Sequence, residues 1–181
     1  MRRLTAGLFY SVDGVVEAPN LWQYDSFDDE LGAEMAGMMQ RTETVLLGRV
    51  SYEEWASYWP GSDDSFAGFI NPVQKFVAST TLAGDLEWQN SQLMDGDLEA
   101  FVLALKESEG GDITVCGSIS VVRQLLFAGL LDELTLIVHP VVAGSGRHLF
   151  EADGPATRLT LLKAHHTTKG NALLSYGLRS E

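Results

Sequence analysis

Three short segments of this sequence place glycine or hydroxyl residues directly after a predicted strand. The residues concerned are Gly48, Arg49 and Ser51, then Ser79 and Thr80, and then Gly117, Ser118, Ile119 and Ser120. Glycine lets a ligand approach the backbone, while hydroxyl groups and an arginine donate hydrogen bonds to phosphate oxygens. A helix that begins at such a junction adds free N–H groups and a positive dipole end. One junction of this kind is most often only a tight connection, so none of the three is specific alone, and each is a candidate for contact with phosphate.

Two aspartates are the candidates for catalysis or substrate binding. Asp13 precedes Gly14, so it either forms only a turn or places a carboxylate at the mouth of a crevice. Asp28 lies with Asp25 and Asp29 near the start of a predicted helix, where acids usually cap the helix or complement its dipole. One of these acids facing the crevice is the alternative.

The sequence lacks the motifs of several other kinds of active site. The sequence contains no G-x-G-x-x-G or G-x-x-x-x-G-K-[S/T] segment, which argues against a standard Rossmann domain and a P-loop NTPase. It also lacks the G-x-S-x-G segment of serine hydrolases. The histidines, including the adjacent pair His165 and His166, do not show metal-ligand spacing, and Cys116 is the single cysteine. We therefore expect no metal site.

The composition is that of a globular protein with an acidic surface. Hydrophobic residues make up 45% of the 181 residues, and 25 acids against 12 bases give a net charge of -13. Such a surface repels a phosphate backbone, which argues against a nucleic-acid-binding protein. No apolar run has the length of a membrane span. We expect one domain over residues 1–181, located in the cytoplasm.

Strands and helices alternate over the first two thirds of the chain, and strands dominate the rest. The predicted strands cover residues 4–12, 44–47, 75–79, 86–89, 112–116, 133–142, 157–167 and 171–178. The predicted helices cover residues 27–40, a stretch from Tyr52 to Tyr58, residues 98–109, and a segment from the Gly117-Ser118 turn to Phe127. Asp25 or Ser26 is the expected cap of the first helix. The pattern predicts an α/β fold with a mostly parallel sheet, an antiparallel C-terminal hairpin and helices on both faces.

Five segments in this order resemble one family. They are Ser11-Val12-Asp13-Gly14, residues 46–53 with Gly48-Arg49, residues 75–82 with Ser79-Thr80, residues 111–118, and residues 129–134 followed by 140–150 with the glycine-rich stretch 144–146. Together they resemble the dihydrofolate-reductase-like proteins, and among these the reductase half of the bacterial bifunctional riboflavin-biosynthesis deaminase-reductase. The resemblance runs nearly end to end. The zinc deaminase half of that enzyme has no counterpart here, so the riboflavin precursor is not implied as substrate.

The resemblance implies that NADPH lies across the carboxyl ends of the strands. Matching residue by residue, Gly48, Arg49 and Ser51 would meet the phosphates, Ser79 and Thr80 the adenosine 2′-phosphate, and the turn of Gly117, Ser118, Ile119 and Ser120 the pyrophosphate. Phe9, through its backbone, and Val16 would lie near the nicotinamide, while Cys116 either lines the crevice or is only buried. The family usually has a second glycine where Ser118 stands, which requires that this residue adopt backbone angles open to a side chain.

The resulting hypothesis is a reductase that transfers a hydride from NADPH to a C=N or C=O group of a small pterin-, pyrimidine- or sugar-like substrate, with Asp13 first and Asp28 second as the polar anchor. Two alternatives remain: a protein that binds the nucleotide without turnover, and a structural subunit with an empty crevice. The apolar run from Leu134 to Val138 and the final strands suggest a homodimer.

Overall fold

The computed structural model describes residues 1–152 and 154–178, which form one eight-stranded sheet with helices on both faces. The strands are β1 (Leu4–Tyr10), β2 (Thr42–Gly48), β3 (Gln74–Ala78), β4 (Ser91–Leu93), β5 (Asp112–Cys116), β6 (Glu133–Val138), β7 (Leu159–His166) and β8 (Ala172–Leu178). The helices are α1 (Asp29–Arg41), α2 (Arg49–Tyr58), α3 (Ala67–Ile70), α4 (Leu98–Glu107) and α5 (Ile119–Phe127), with short 3-10 turns at Pro19–Leu21 and Trp59–Gly61.

The strand order is β4-β3-β2-β5-β1-β6-β8-β7. The first six strands pair in parallel, while β8 runs antiparallel to both β6 and β7. This confirms the mixed sheet with an antiparallel C-terminal hairpin that the sequence predicts.

Neighbouring residues of β2 show how the two faces are covered. Leu46 packs with Val102 of α4 and Val122 of α5, whereas Leu47 packs with Tyr52 of α2. Side chains of successive strand residues point to opposite faces, so α4 and α5 cover one face and α2 covers the other. Leu31 of α1 packs with Phe9 of β1. The strand register puts Phe9 on the same face of the sheet as Leu47, so α1 covers the same face as α2.

The chain diverges from two adjacent strands. From β2 it passes through α2 to β3 and toward one edge of the sheet, and from β5 it passes through α5 to β6 and toward the other. In open α/β sheets such a switch point opens a crevice outside the carboxyl ends of the strands. The three segments singled out by their glycine and hydroxyl residues follow β2, β3 and β5, so they share this edge.

The structure corrects three of the local predictions. Residues 86–89 do not form a strand, and the fourth strand is Ser91–Leu93. The Trp88 indole is buried there and donates to Asn71 Oδ1 at 2.8 Å, and the chain first bonds to β3 at Asn90, whose carbonyl accepts from Lys75 N–H at 2.7 Å. The cap of α1 is Asp28 rather than Asp25 or Ser26, because the Ser26 hydroxyl is bound to His139 and to the Gln23 carbonyl.

The third correction concerns the apolar run from Leu134 to Val138. It lies in β6 between β1 and β8, where Leu134 and Ile137 are buried, so it offers no surface to a partner. Within the described residues, no helix combines the length and apolar character needed to span a bilayer.

Candidate functional site

Two helices begin at the switch point with their first N–H groups uncapped. Within the described chain, neither α2 nor α5 has a side-chain cap or an acid in its first turn. Helices α1 and α4, which begin farther from the β2–β5 junction, differ: Asp28 caps α1 and Asp97 caps α4, and both have acids in the first turn. The four-residue α3 is also uncapped, but it is too short to build up a substantial dipole. Because acids at a helix start compete with an incoming anion, α2 and α5 are the helix ends suited to phosphate.

Ser118 joins the two helix starts. The Gly48 N–H donates to Ser118 Oγ at 2.6 Å, and the Ser118 hydroxyl donates to Ser51 Oγ at 2.9 Å. Ser118 is only 4% exposed, and its φ of -92° is open to any L-residue, so the serine fits where the family usually has glycine. Hydrogen bonds therefore connect Gly48, Ser51 and Ser118, and Gly117 directly precedes Ser118 in the chain. Their contact with a phosphate stays a prediction.

Gly117 needs to be glycine for two reasons. Its φ is +65°, and a Cβ there would lie 3.0 Å from Trp55 Cζ2. Trp55 packs edge-on against Trp59 and Phe66, so an aromatic cluster supports this turn from the α2 side. Sequence analysis missed that role, because the aromatic spacing in α2 looks the same as ordinary core packing.

The β3 junction lies beside this cluster. Ala78 is in register with Gly48, so Ser79 follows at the level of Arg49. The Ser79 hydroxyl accepts hydrogen bonds from the N–H groups of Thr81 and Leu82 at 3.2 and 3.0 Å, and Thr80 is exposed. The segment is thus an ordered turn with one free hydroxyl at its surface.

The backbone of Phe9 faces the crevice. The Tyr10 carbonyl accepts from His139 N–H beyond β6, and alternation along β1 directs the Phe9 amide and carbonyl to the opposite side. On that side β5 ends at Cys116, which pairs with Gly7. Among the described residues, no backbone group pairs with Phe9 there. Its N–H and C=O are therefore available to a planar ligand amide.

Val16 and Cys116 pack in two different hydrophobic clusters. Val16 is buried in the core beneath α5, and its N–H donates to the Arg147 carbonyl. Cys116 is half-buried and packs with the aromatic cluster around Trp55. Burial raises the pKa of the Cys116 thiol to about 12, so the thiol stays protonated and inert at neutral pH.

Both oxygens of the Asp13 carboxylate have partners. They accept hydrogen bonds from Ser11 Oγ at 2.6 Å and from the N–H groups of Ala143 and Gly144 at 2.9 and 2.8 Å. These bonds lower the pKa of Asp13 to about 2. Asp13 thus ties the loop after β1 to the glycine-rich loop after β6, and its role toward a substrate stays a prediction.

Asp28 belongs to a second polar network at the start of α1. Its carboxylate accepts from Leu31 N–H at 2.8 Å, from Thr167 Oγ1 at 2.5 Å and from Asn171 Nδ2 at 3.2 Å. The Thr167 bond is the main reason that the pKa of Asp28 lies below its ordinary value. Its role toward a substrate also stays a prediction.

His139 belongs to the same network, and its contacts could not be predicted from the sequence. The ring is fully buried, 2.7 Å from Ser26 Oγ through Nδ1 and 3.0 Å from Gln23 Nε2 through Nε2. Because the Ser26 hydroxyl hydrogen points to the Gln23 carbonyl, we assign the ring proton to Nδ1. Burial lowers the pKa of His139, so this neutral ring positions the loop before α1 next to Phe9.

None of the predicted site residues lines the cavity beside α5. That cavity, of about 460 Å³, lies between α5 and residues 150–159, with Phe127 and Phe150 in its walls. Among the described residues, no cluster of His, Cys, Asp or Glu has the arrangement of a metal site.

The comparisons with known proteins agree with this geometry. The family described as the RibD C-terminal domain matches residues 2–173. Two Bacillus subtilis proteins, both called uncharacterized, are similar in sequence. YyaP is 30% identical over 155 residues, covering 82% of this chain and 80% of its own, and YwjB is 26% identical over 164 residues, covering 88% and 89%.

Three solved structures share the fold. A putative riboflavin biosynthesis protein from Shewanella sp. PV-4 superposes with a TM-score of 0.81 at 16% identity, covering 98% of this chain and 99% of its own. A pyrimidine reductase-like protein from Corynebacterium diphtheriae gives 0.68 at 14%, covering 99% and 93%. A deaminase/reductase from Thermotoga maritima gives 0.67 at 13%, covering 98% of this chain and 57% of its own. The dihydrofolate-reductase-like fold is thereby confirmed.

Proposed function

The chain belongs to the RibD C-terminal domain family, and on that premise we propose that it is an NADPH-dependent reductase. It would transfer a hydride to a C=N or C=O group of a small pterin-, pyrimidine- or sugar-like substrate. The Thermotoga maritima relative in fold is described as a deaminase/reductase, and the Corynebacterium diphtheriae one as pyrimidine reductase-like, which is consistent with this class.

The observation that carries the proposal is the pair of uncapped helix starts joined by Ser118. A pyrophosphate needs several N–H donors and no competing carboxylate, and the first turns of α2 and α5 meet both conditions. Gly117 leaves space against Trp55 that a side chain would fill. The residues present therefore fit a dinucleotide at this edge.

The free backbone of Phe9 suits the other end of the cofactor. Its N–H and C=O would hold the carboxamide and so fix the nicotinamide ring at the end of β1. Bound NADPH would supply the hydride, and the chain would supply orientation and exclusion of water.

Asp13 and Asp28 would act in this scheme as ionised groups. Their hydrogen bonds lower the pKa of both carboxyls, so neither is a proton donor near neutral pH. We assign them to holding the loops that form the substrate side of the crevice, and we assign delivery of the proton to water.

A second candidate function is nucleotide binding without turnover. It is favoured by one observation: every carboxylate oxygen of Asp13 and Asp28 already accepts a hydrogen bond from another part of the chain. Binding and turnover must therefore be measured separately.

The test is a titration of the purified protein with NADPH, followed by a search for turnover. Trp55 contacts Gly117, so its fluorescence should change when a nucleotide binds there. Loss of nicotinamide absorbance with a panel of pterins, aminopyrimidines and sugar-like carbonyl compounds then separates a reductase from a binding protein. Absence of NADPH binding would refute both candidates.

We further propose a homodimer formed through β7. This strand is at the edge of the sheet, and Leu161 and Leu162 in it are 52% and 54% exposed. An edge strand offers unpaired N–H and C=O groups to a second copy. Light scattering should give twice the monomer mass for the native chain and the monomer mass for Leu161→Lys.

A further inference from the structure

The segments that leave β2, β3 and β5 toward the crevice contain a single cation. Residues 48–58, 79–97 and 117–122 include Arg49 and no other lysine or arginine. The acids in the same ranges are Glu53, Glu54, Asp85, Glu87, Asp95 and Asp97. Within these three segments, Arg49 is therefore the one side chain that can meet an anionic group with a full positive charge.

The charge of Arg49 is already engaged. Its Nη1 lies 2.6 Å from Oε2 of Glu53, one helical turn further along α2. The two side chains are 43% and 47% exposed, so the pair lies at the surface and adds little to stability. A competing anion can take Arg49 from it, but Glu53 stays next to that anion and repels it.

NADPH and NADH differ in the 2′-phosphate alone, and arginine is the residue best suited to hold such a group. We propose that Glu53 is a positioning residue that sets the preference of the crevice between NADPH and NADH by holding Arg49. In consequence the native chain distinguishes the two nucleotides only weakly. This inference rests on the proposed function, since it requires that a dinucleotide bind at the β2–β5 junction.

The experiment compares the dissociation constants of NADPH and NADH for the native chain, Glu53→Gln and Glu54→Gln. Glu54→Gln is the matched control, because it removes the same charge from the next residue of α2 without the contact to Arg49. For the native chain we expect the two constants to agree within about five-fold. Glu53→Gln should tighten NADPH by about three- to five-fold and leave NADH unchanged, the size of one exposed ion pair.

A double variant, Glu53→Gln with Arg49→Gln, isolates the contact. The gain in NADPH selectivity should vanish in it, since the gain acts through Arg49. The selectivity ratio is informative because a change in the stability of α2 alone would move both constants together.

Three results would overturn the inference while leaving the proposed function intact. They are an equal shift of the ratio in Glu53→Gln and Glu54→Gln, a gain that persists without Arg49, and a native preference for NADPH above about ten-fold. If neither nucleotide binds the native chain, the proposed function fails, and this inference fails with it.

Discussion

The hydroxyl of Ser118 accepts the Gly48 N–H at 2.6 Å and donates to Ser51 Oγ at 2.9 Å. Ser118 directly precedes α5, and Gly48 directly precedes α2. One buried side chain therefore fixes the spacing of the two helix starts that we assign to phosphate binding. These hydrogen bonds link the ends of β2 and β5, the two adjacent strands from which the chain diverges.

Removing the Ser118 hydroxyl should weaken the connection between the starts of α2 and α5. Ser118→Ala leaves the Gly48 N–H without its acceptor, and we expect a loss of about 1–2 kcal/mol in the free energy of unfolding. NADPH affinity should fall as well, because the helix starts are no longer held together. Urea denaturation and fluorescence titration measure the two effects. Ser120→Ala, an exposed hydroxyl in the same turn, is the control and should leave stability unchanged.

A methyl group at Gly117 should be costly. Gly117→Ala forces an L-residue to φ +65° and brings Cβ to 3.0 Å from Trp55 Cζ2. We expect a loss of about 1–2 kcal/mol in unfolding free energy and a shift of the tryptophan emission. Gly68→Ala is the control, since that glycine lies in α3 with open space around it and φ outside the positive range. It should stabilise the protein slightly; a similar loss at both positions would contradict the reasoning.

The sequence was sufficient for the alternation of strands and helices and for the three junctions, because hydrophobic periodicity and glycine placement are local signals. It was not sufficient for the order of the strands, because periodicity does not say which strands pair. Local signals also misplaced the fourth strand, where burial of the Trp88 indole determines the path of the chain. They misplaced the cap of α1 too, because Ser26 is engaged by His139, 113 residues away.

In the candidate site, too, the features set by local sequence were predicted and those set by distant contacts were not. Gly48, Ser51, Gly117 and Ser118 were named from their types and positions; hydrogen bonds join Gly48, Ser51 and Ser118, and Gly117 is the residue before Ser118. The partners that Asp13 and Asp28 find in residues 143–144 and 167–171 could not be seen, because they come from loops far along the chain.

The hydrogen bonds of Asp13 lead us to expect that the stability of the fold depends on pH in the acid range. Its folded-state pKa of about 2 lies below the ordinary 3.8, so its contribution to stability is complete above pH 3.8 and disappears as the pH falls through about 2. Asp13→Asn should be less stable than the native chain at neutral pH, and the difference should shrink between about pH 4 and pH 2. Amide exchange of residues 140–148 should speed up in the variant. Asp95→Asn, at an exposed position, should show neither effect.

The buried Lys75 leads us to expect that the free energy of unfolding depends on pH in the alkaline range. Its ammonium is buried, donates to the carbonyls of Ile70, Asn71 and Val73 at 2.8–2.9 Å, and lies 4.5 Å from the centre of the Trp88 ring. Lys75→Met leaves those carbonyls without a donor and should cost about 2 kcal/mol or more at neutral pH.

The sign of the alkaline effect follows from burial. Burial lowers the pKa of Lys75 to about 8 from 10.5, so between these values the unfolded chain holds a proton that the folded chain has released. The native stability should therefore rise, relative to Lys75→Met, as the pH increases from about 8 to 10.5. Unfolding curves of both proteins across this range check the prediction, and a difference that stays constant or falls would contradict it.

The central claim, a phosphate cradle at the start of α5, is tested most directly by NADPH titration of the native chain, Ser120→Asp and Ser120→Asn. Ser120 is exposed in the first turn of α5, where an acid complements the helix dipole and should stabilise the fold by a few tenths of a kcal/mol. A phosphate bound there meets the same acid as a repelling charge. We predict that Ser120→Asp keeps or gains stability and loses NADPH affinity by at least about ten-fold, with Ser120→Asn close to the native chain. Equal NADPH affinity in all three proteins would contradict the cradle.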